Sequence, residues 1–200
     1  MEMMRKSRAS WIVVASLLAL PAGALARPLT VDPSHTSVSF QIRHLFTNVS
    51  GRFDKFEGSI EFDPEKPEAT KIDGSIDAAS IDTDNEKRDK HLRAADFFDV
   101  EKHPKITFKS TKVSAVDSEN KTAKVAGMLN MHGVEKPVVL DAAFLGMGKD
   151  PWGNERFGFR GTTKINRKDF DLTWNETLDG GGLLIGEEVT IEINAEAMAK

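Results

Sequence analysis

The feature that most constrains the fold is an alternation of apolar and polar residues along most of the chain. Val38, Phe40 and Ile42, for example, alternate with polar neighbours. Because successive side chains of a strand point to opposite faces, such a run predicts a strand with one buried face. The runs cover residues 38–43, 56–62, 72–76, 106–109, 125–131, 138–144, 156–165 and 189–195. They predict about eight strands.

The short connections between these runs predict an antiparallel meander, since turn signals such as Asp63-Pro64 separate them. The apolar faces must meet, either in a closed barrel or in a sandwich of two sheets. Glycines inside the predicted strands (Gly58, Gly74, Gly127 and Gly161) favour a barrel, because they let a sheet bend sharply. An eight-stranded barrel either fills with side chains or holds one small ligand.

Only the segment after residue 82 breaks the strand pattern. Thr83 can cap a helix and Glu86, three residues later, would complete a capping box. We therefore predict one short helix at about 84–95, a tight turn at 96–100, and a second short turn at 167–170. No linker or composition change divides the chain, so we expect one domain over residues 27–200.

The first 26 residues have the pattern of a cleavable signal peptide. Arg5, Lys6 and Arg8 precede an apolar run at 11–20, and Ala24-Leu25-Ala26 provides small residues two positions apart. The run is too short to span a bilayer, which needs about 20 residues. We expect cleavage after Ala26, no transmembrane segment, and a free protein in the periplasm.

Composition excludes several classes of protein. Cysteine is absent, which removes disulfides, thiol catalysis and a lipid-anchored cysteine. The formal net charge of −4 argues against nucleic acid binding, which rewards an excess of Lys and Arg. The chain has 12 Phe and no Tyr, a bias that suits an apolar interior.

No pattern for a metal, a phosphate or a catalytic group is present. The five histidines lack the spacing that gathers metal ligands on one element. The acidic stretch beginning at Asp82 has Lys87 and Arg93 where a calcium loop needs Gly and Glu. The glycine clusters match neither nucleotide-binding fingerprint. We therefore expect no metal, no cofactor and no catalytic residue.

An open apolar interior needs no motif to bind an apolar chain. Each buried methylene is worth roughly 0.8 kcal/mol. About ten of them give on the order of 8 kcal/mol before the cost of ordering the ligand. An inert structural domain would show the same lack of motifs, so both interpretations stay open at this point.

Long stretches of the chain resemble one known family, the YceI-like, polyisoprenoid-binding proteins. These stretches are DPSHTSVSFQIRHL (32–45), GRFDKFEGSIEFDPEKPEA (51–69), IDAASIDTDNEKRDKHLRAADFFDVEKHPKITFKST (76–111), HGVEKPVVLD (132–141), KDPWGNERFGFRGTTKINRKDFDLTWN (149–175) and GGLLIGEEVTIEI (181–193). The resemblance implies an exported lipocalin-like antiparallel barrel with an elongated apolar pocket, often dimeric. It also implies binding of polyprenyl chains such as quinones or prenyl pyrophosphates, without established catalysis.

The chain departs from the family pattern just before Gly51. Asn48-Val49-Ser50 stands where the resemblance leads us to expect basic residues. If this strand end meets a head group, a neutral quinone or lipid is favoured over a pyrophosphate.

The candidate ligand-binding residues are the large apolar members of the inward-facing sets. They are Val38, Phe40, Ile42, Phe53, Ile60, Phe62, Ile76, Phe108, Leu129, Phe144, Phe159 and Ile165. Candidates for contact with a polar head group are His44, Arg88, His91 and Arg93.

The sequence thus predicts a periplasmic carrier of an isoprenoid or similar lipid, with two alternatives. A lipid-modifying enzyme would need an acid or base inside the barrel, and His44, which shares its face with Ile42, is the candidate. A stress-related interaction module would instead have a filled core and no cavity.

Overall fold

A computed structural model describes residues 26–178 and 181–199. The predicted signal peptide, except Ala26, lies outside the described residues. The strands are β1 (Arg27–Val31), β2 (Ser37–His44), β3 (Thr47–Phe53), β4 (Phe56–Phe62), β5 (Lys71–Asp77), β6 (Ile81–Asp82), β7 (Lys105–Asp117), β8 (Thr122–Met131), β9 (Val134–Lys149), β10 (Glu155–Asn166) and β11 (Ile185–Ala199). The helix α1 covers Glu86–Arg93, and 3-10 helices cover Pro33–His35, Pro67–Ala69, Ala78–Ser80 and Arg167–Phe170.

Eight of the strands close into an antiparallel barrel, as predicted. The ring runs β1, β4, β5, β7, β8, β9, β10 and β11, and β11 pairs again with β1. Closure occurs where Leu29 of β1 lies between Ala199 of β11 and Ile60 of β4. A closed ring leaves no unpaired sheet edge around this part of the molecule.

The sequence missed three strands, β1, β3 and β6. The strand predicted at 38–43 is β2, which pairs with β11 over residues 185–194, whereas β1 pairs with the last residues of β11. The two therefore follow each other along one edge of β11. β3 and β6 extend the wall from β2, near α1.

The predicted helix is confirmed, but its cap is not the one predicted. The N-cap is Asn85, whose side chain accepts a hydrogen bond from the backbone N–H of Arg88. Thr83 lies earlier, and both its backbone N–H and its hydroxyl donate to the buried carboxylate of Asp89. The turn predicted at 167–170 is the fourth 3-10 helix. No helix in the described part of the chain is long and apolar enough to cross a membrane.

The glycine argument for sheet bending is only partly supported. The register shifts by one residue at Gly158/Phe159 of β10, and β7 carries two further shifts opposite β8. Gly58, Gly74 and Gly161 instead lie in regular ladders. The bends therefore arise mainly at bulges, which increase the local twist of a strand.

Candidate functional site

A large cavity occupies the inside of the barrel. Its volume is about 1060 Å³, at the upper end of the range for small-molecule sites. The wall extends along the barrel, from Trp174 and His91 at the end covered by α1 to Asp117 and Lys121 at the β7–β8 turn. The cavity is therefore elongated, as a site for a chain-like ligand must be.

All twelve apolar candidates line this cavity. Six of them are buried, and they also belong to the packed core: Val38, Phe53, Ile60, Phe62, Leu129 and Ile165. The other six retain part of their surface: Phe40, Ile42, Ile76, Phe108, Phe144 and Phe159. Apolar side chains with free surface inside a barrel show that the interior is not packed solid, contrary to the filled-core alternative.

Two phenylalanines of the wall lie directly against glycines of the neighbouring strand. A β-carbon placed at Gly51 would lie 2.3 Å from Cζ of Phe40, and one placed at Gly127 would lie 2.4 Å from Cζ of Phe108. The glycines thus give each ring room to lie flat against the sheet. Gly51 and Gly127 fix how far these rings reach into the cavity.

Two other glycines face free space. Around a β-carbon at Gly161 the nearest atom is Cδ1 of Leu140 at 4.0 Å, and around one at Gly74 it is the carbonyl oxygen of Glu57 at 4.0 Å. Both glycines line the cavity. A β-carbon at either position would therefore make only ordinary van der Waals contact, and a longer side chain would extend from it into the cavity wall.

The cavity end beneath α1 is rich in basic side chains. His44, Lys87, Arg88 and His91 line it, and neither α1 nor residues 166–178 contribute a carboxylate to the wall there. Nε and Nη2 of Arg88 donate to the hydroxyl and carbonyl oxygens of Thr83, both at 2.7 Å. Three of the four head-group candidates are therefore brought together at one end of the cavity.

Arg93, the fourth head-group candidate, does not line the cavity. Its Nε donates to the carbonyl oxygen of Ala79 and its Nη2 to that of Ile81, both at 2.7 Å. The guanidinium thereby ties the last turn of α1 to the segment that leads into β6. Its position at the end of the helix accounts for the different role.

Sequence reasoning missed Arg167, which also lines the cavity. Only 3% of its surface is exposed, and it donates from Nε to the carbonyl oxygen of Gly186 at 2.9 Å and from Nη1 to that of Leu172. Within the described residues its Nη2 has no hydrogen-bond partner. Burial lowers the pKa of this guanidinium, while the carboxylate of Glu187 raises it. The charged Arg-Lys-Asp sequence predicts an exposed turn, so sequence analysis gave no sign that Arg167 is buried.

An aromatic cluster at the same end was also missed. The ring of His91 packs edge-on against Phe97 at 4.9 Å and against Trp174 at 5.0 Å between centroids. Nε2 of His91 lies 2.6 Å from Oδ2 of Asp96. The imidazole is thus held in place, and Trp174 and Phe97 add apolar surface to the wall.

Outside this cavity, one group of side chains has the spacing of metal ligands, but an arginine contacts its carboxylates. Asp32, His35 and Glu196 have ligand atoms close enough to share an ion. Nη1 of Arg156 donates to Oδ2 of Asp32 at 2.6 Å and lies 3.2 Å from Oε1 of Glu196. A guanidinium therefore already balances these carboxylates.

Comparison with known proteins gives a consistent result. The family model of the YceI-like domain matches residues 29–197. A UPF0312 protein of Vibrio cholerae is 41% identical over 162 residues, which are 80% of this chain and 85% of that protein.

Two solved structures share the fold. The YceI protein of Campylobacter jejuni is 37% identical, with a TM-score of 0.68 over 80% of this chain and 90% of that one. A polyisoprenoid-binding domain from Saccharophagus degradans is 17% identical, with a TM-score of 0.61 over 88% of this chain and 99% of that one. At that identity the second comparison bears on the fold alone.

Proposed function

Because this chain belongs to the YceI-like family, we propose that it binds one isoprenoid or similar amphiphilic lipid inside its barrel and carries it through the periplasm. The observation that carries the proposal is the elongated cavity of about 1060 Å³ with its apolar wall. A structural neighbour from Saccharophagus degradans is described as a polyisoprenoid-binding domain, which agrees with this ligand class.

The cavity supplies enough apolar surface for useful affinity. Burying about ten methylene groups contributes on the order of 8 kcal/mol, of which several kcal/mol are lost in ordering the ligand. Binding is favoured over catalysis because the wall is mainly apolar, and His44 has no side-chain hydrogen bond within the described ranges. A catalytic base would normally be oriented by such a partner.

Export is part of the proposal and rests on the signal-peptide pattern of residues 1–26. Strand β1 begins at Arg27, immediately after the expected cleavage site. Cleavage there would leave a mature chain whose first residue is already paired, with Phe62 of β4. The intact mass of protein from the periplasm of its host should match residues 27–200.

Native mass spectrometry of the same sample tests the ligand. We expect a bound mass that is lost on denaturation and recovered in organic solvent, and the spectrum also reports whether the protein is a dimer. Protein that stays bare after incubation with a prenyl quinone would contradict the proposal.

A cavity-filling variant makes the test specific. The double substitution Gly74→Leu and Gly161→Leu should fold, because neither position is crowded, and should lose the bound lipid. Gly148→Leu is the matched control, since Gly148 has nothing within 4 Å and lies outside the cavity wall. Equal lipid retention by the double variant and the control would locate binding outside the barrel.

A further inference from the structure

We propose that Arg167 selects the polar end of the ligand, so that the cavity prefers an amphiphile ending in an anionic oxygen acceptor, such as a carboxylate, over an alcohol or an amine with the same chain. This inference deepens the proposed function and rests on it. It assigns a specificity role to a residue outside the four head-group candidates.

The placement of the guanidinium is the first support. Arg167 opens the 3-10 helix Arg167–Phe170, directly after β10. The carbonyl oxygens of Gly186 and Leu172 hold Nε and Nη1, which fixes the plane of the group in the cavity wall. A guanidinium held in this way keeps its positive charge at one place in the wall.

The second support is that the charge is not balanced. Arg167 makes no ion pair with any described residue, and Nη2 is buried without a hydrogen-bond partner. The carboxylate of Glu187 has a favourable Coulomb interaction with the guanidinium, but its Oε1 accepts a hydrogen bond from Nζ of Lys168 at 2.6 Å. A guanidinium stays protonated at neutral pH, so a buried positive charge persists here. Buried charges in proteins are normally paired.

The third support is the surroundings. Lys87, Arg88 and His91 line the same end of the cavity, and among the described residues only His91 of these three has a carboxylate partner, Asp96. Direct contact with Nη2 is not required, because a charge in a wall of low dielectric acts over several ångströms. Arg167 dominates because it is buried, whereas solvent screens the more exposed cations.

The experiment compares three probes that share one prenyl chain: geranylgeranoic acid, geranylgeraniol and geranylgeranylamine. Isothermal titration of the purified mature protein should show the acid binding at least about tenfold more tightly than the amine, with the alcohol between them. If none of the probes binds, the proposed function itself fails. If all three bind equally, lipid binding stands and this inference is wrong.

Two pairs of variants assign the preference to Arg167. Arg167→Gln should bring the acid-to-amine affinity ratio close to one while the affinity for the alcohol changes less than about threefold. Arg27→Gln, an exposed arginine at the opposite end of the barrel, removes the same charge and should leave the ratio unchanged. A folded Arg167→Gln protein that keeps the full ratio would overturn the assignment.

Glu187→Gln provides a second route that does not disturb the buried guanidinium. Removing the carboxylate that acts on Arg167 should raise the acid-to-amine ratio. Its neighbour Glu188 pairs with Lys164 on the exposed face, so Glu188→Gln is the matched control. An unchanged ratio in Glu187→Gln, or an equal rise in both variants, would contradict a local effect of Arg167.

Discussion

At the scale of single residues, the shape of the cavity depends on what each glycine of the wall allows. Gly127 lies beneath the ring of Phe108, with a further close approach to the backbone oxygen of Lys109. Gly74 has free space on the same side of the sheet as Phe108, its partner across the ladder. Two glycines of the same wall therefore have opposite tolerances to an added methyl group.

Alanine substitutions test this difference. Gly127→Ala should lower the free energy of unfolding by about 1–3 kcal/mol, because its β-carbon would lie 2.4 Å from the ring of Phe108 and 2.6 Å from the oxygen of Lys109. Gly74→Ala should raise it by about 0.5–1 kcal/mol, since alanine restricts the unfolded chain more than glycine does. Urea titration measures both, and equal effects of the two substitutions would contradict the packing described here.

A charge in the apolar wall tests whether Phe40 contacts the ligand. Phe40→Asp should reduce the affinity for a prenyl lipid by more than tenfold, because the chain would have to desolvate a carboxylate. Gln41→Asp places the same carboxylate on the outer face of β2 and should leave binding intact. Circular dichroism confirms that each protein is folded, and lipid held normally by folded Phe40→Asp would remove Phe40 from the site.

The sequence predicted the apolar wall well and its polar end poorly, for a physical reason. Strand periodicity fixes which face a residue occupies, so eleven of the twelve inward apolar positions could be read from the alternation. The twelfth, Phe53, lies on β3, outside the alternating runs. The direction of a long basic side chain depends on which carbonyl oxygens tertiary structure brings near it. Arg93 and Arg167 both end on backbone carbonyls far away in the sequence, which no local pattern reveals.

At the scale of elements, α1 is a short helix that side-chain hydrogen bonds fasten over one end of the barrel. Asn85 caps its first turn, Asp89 accepts hydrogen bonds from Thr83 ahead of the helix, and Arg93 in the last turn donates to the carbonyl oxygens of two residues that precede the helix. A helix of this length is marginal on its own, so these anchors determine its position. That position decides which of its side chains meet the cavity.

Arg93 should therefore matter for stability and not for binding. Arg93→Ala removes hydrogen bonds to Ala79 and Ile81 and should lower the free energy of unfolding by about 1–2 kcal/mol. Lipid affinity measured by titration should stay within about twofold of wild type. Lys90→Ala, an exposed neighbour on α1, is the control for helix content, and a large loss of affinity in Arg93→Ala alone would restore Arg93 as a head-group residue.

The elements that the sequence missed share a common cause. β1 carries Pro28, β3 begins with the polar pair Thr47-Asn48 and has only Gly51 between its inward Val49 and Phe53, and β6 has only two residues. Each forms because a neighbouring strand offers a ladder: β1 lies between β4 and β11, and β6 pairs with Arg52 and Phe53. Such strands are products of tertiary structure, and local propensity does not encode them.

At the scale of the whole molecule, one buried ion network supports closure of the barrel at the end away from α1. Arg156 on β10 donates to Asp32, just after β1, and to Asp150 in the β9–β10 turn. Asp32 also accepts from the backbone N–H of Ser34, and Glu196 of β11 lies beside the same guanidinium. The network thus joins β1 and β11, where the ring closes, to β10 and to the 3-10 helix Pro33–His35.

Both aspartates of this network have lowered pKa values. The pKa of Asp150 falls from its ordinary value of 3.8 to about 2, first because the side chain of Asn154 donates to it and then because the backbone N–H of Asn154 and the side chain of Arg156 donate to it. The pKa of Asp32 is lowered further, by hydrogen bonds from His35, Arg156 and Ser34. A carboxylate whose pKa is lower in the folded state stabilises that state above its unfolded pKa, and this stabilisation is lost as the pH falls.

The barrel should therefore lose stability between about pH 4 and pH 2, starting at the end that holds this ion network. The urea midpoint of wild type should fall steeply over this range, whereas Asp150→Asn should begin lower at pH 6 and fall less, because it lacks one of the two titrating carboxylates. Asp169→Asn, at an exposed aspartate of the 3-10 helix, should keep the wild-type slope. Parallel slopes for wild type and Asp150→Asn would mean that other carboxylates govern acid unfolding. If opening of this end frees the ligand, lipid release should occur over the same pH range. Native mass spectra recorded at pH 6 and pH 3 should then show the bound lipid at pH 6 and its loss at pH 3.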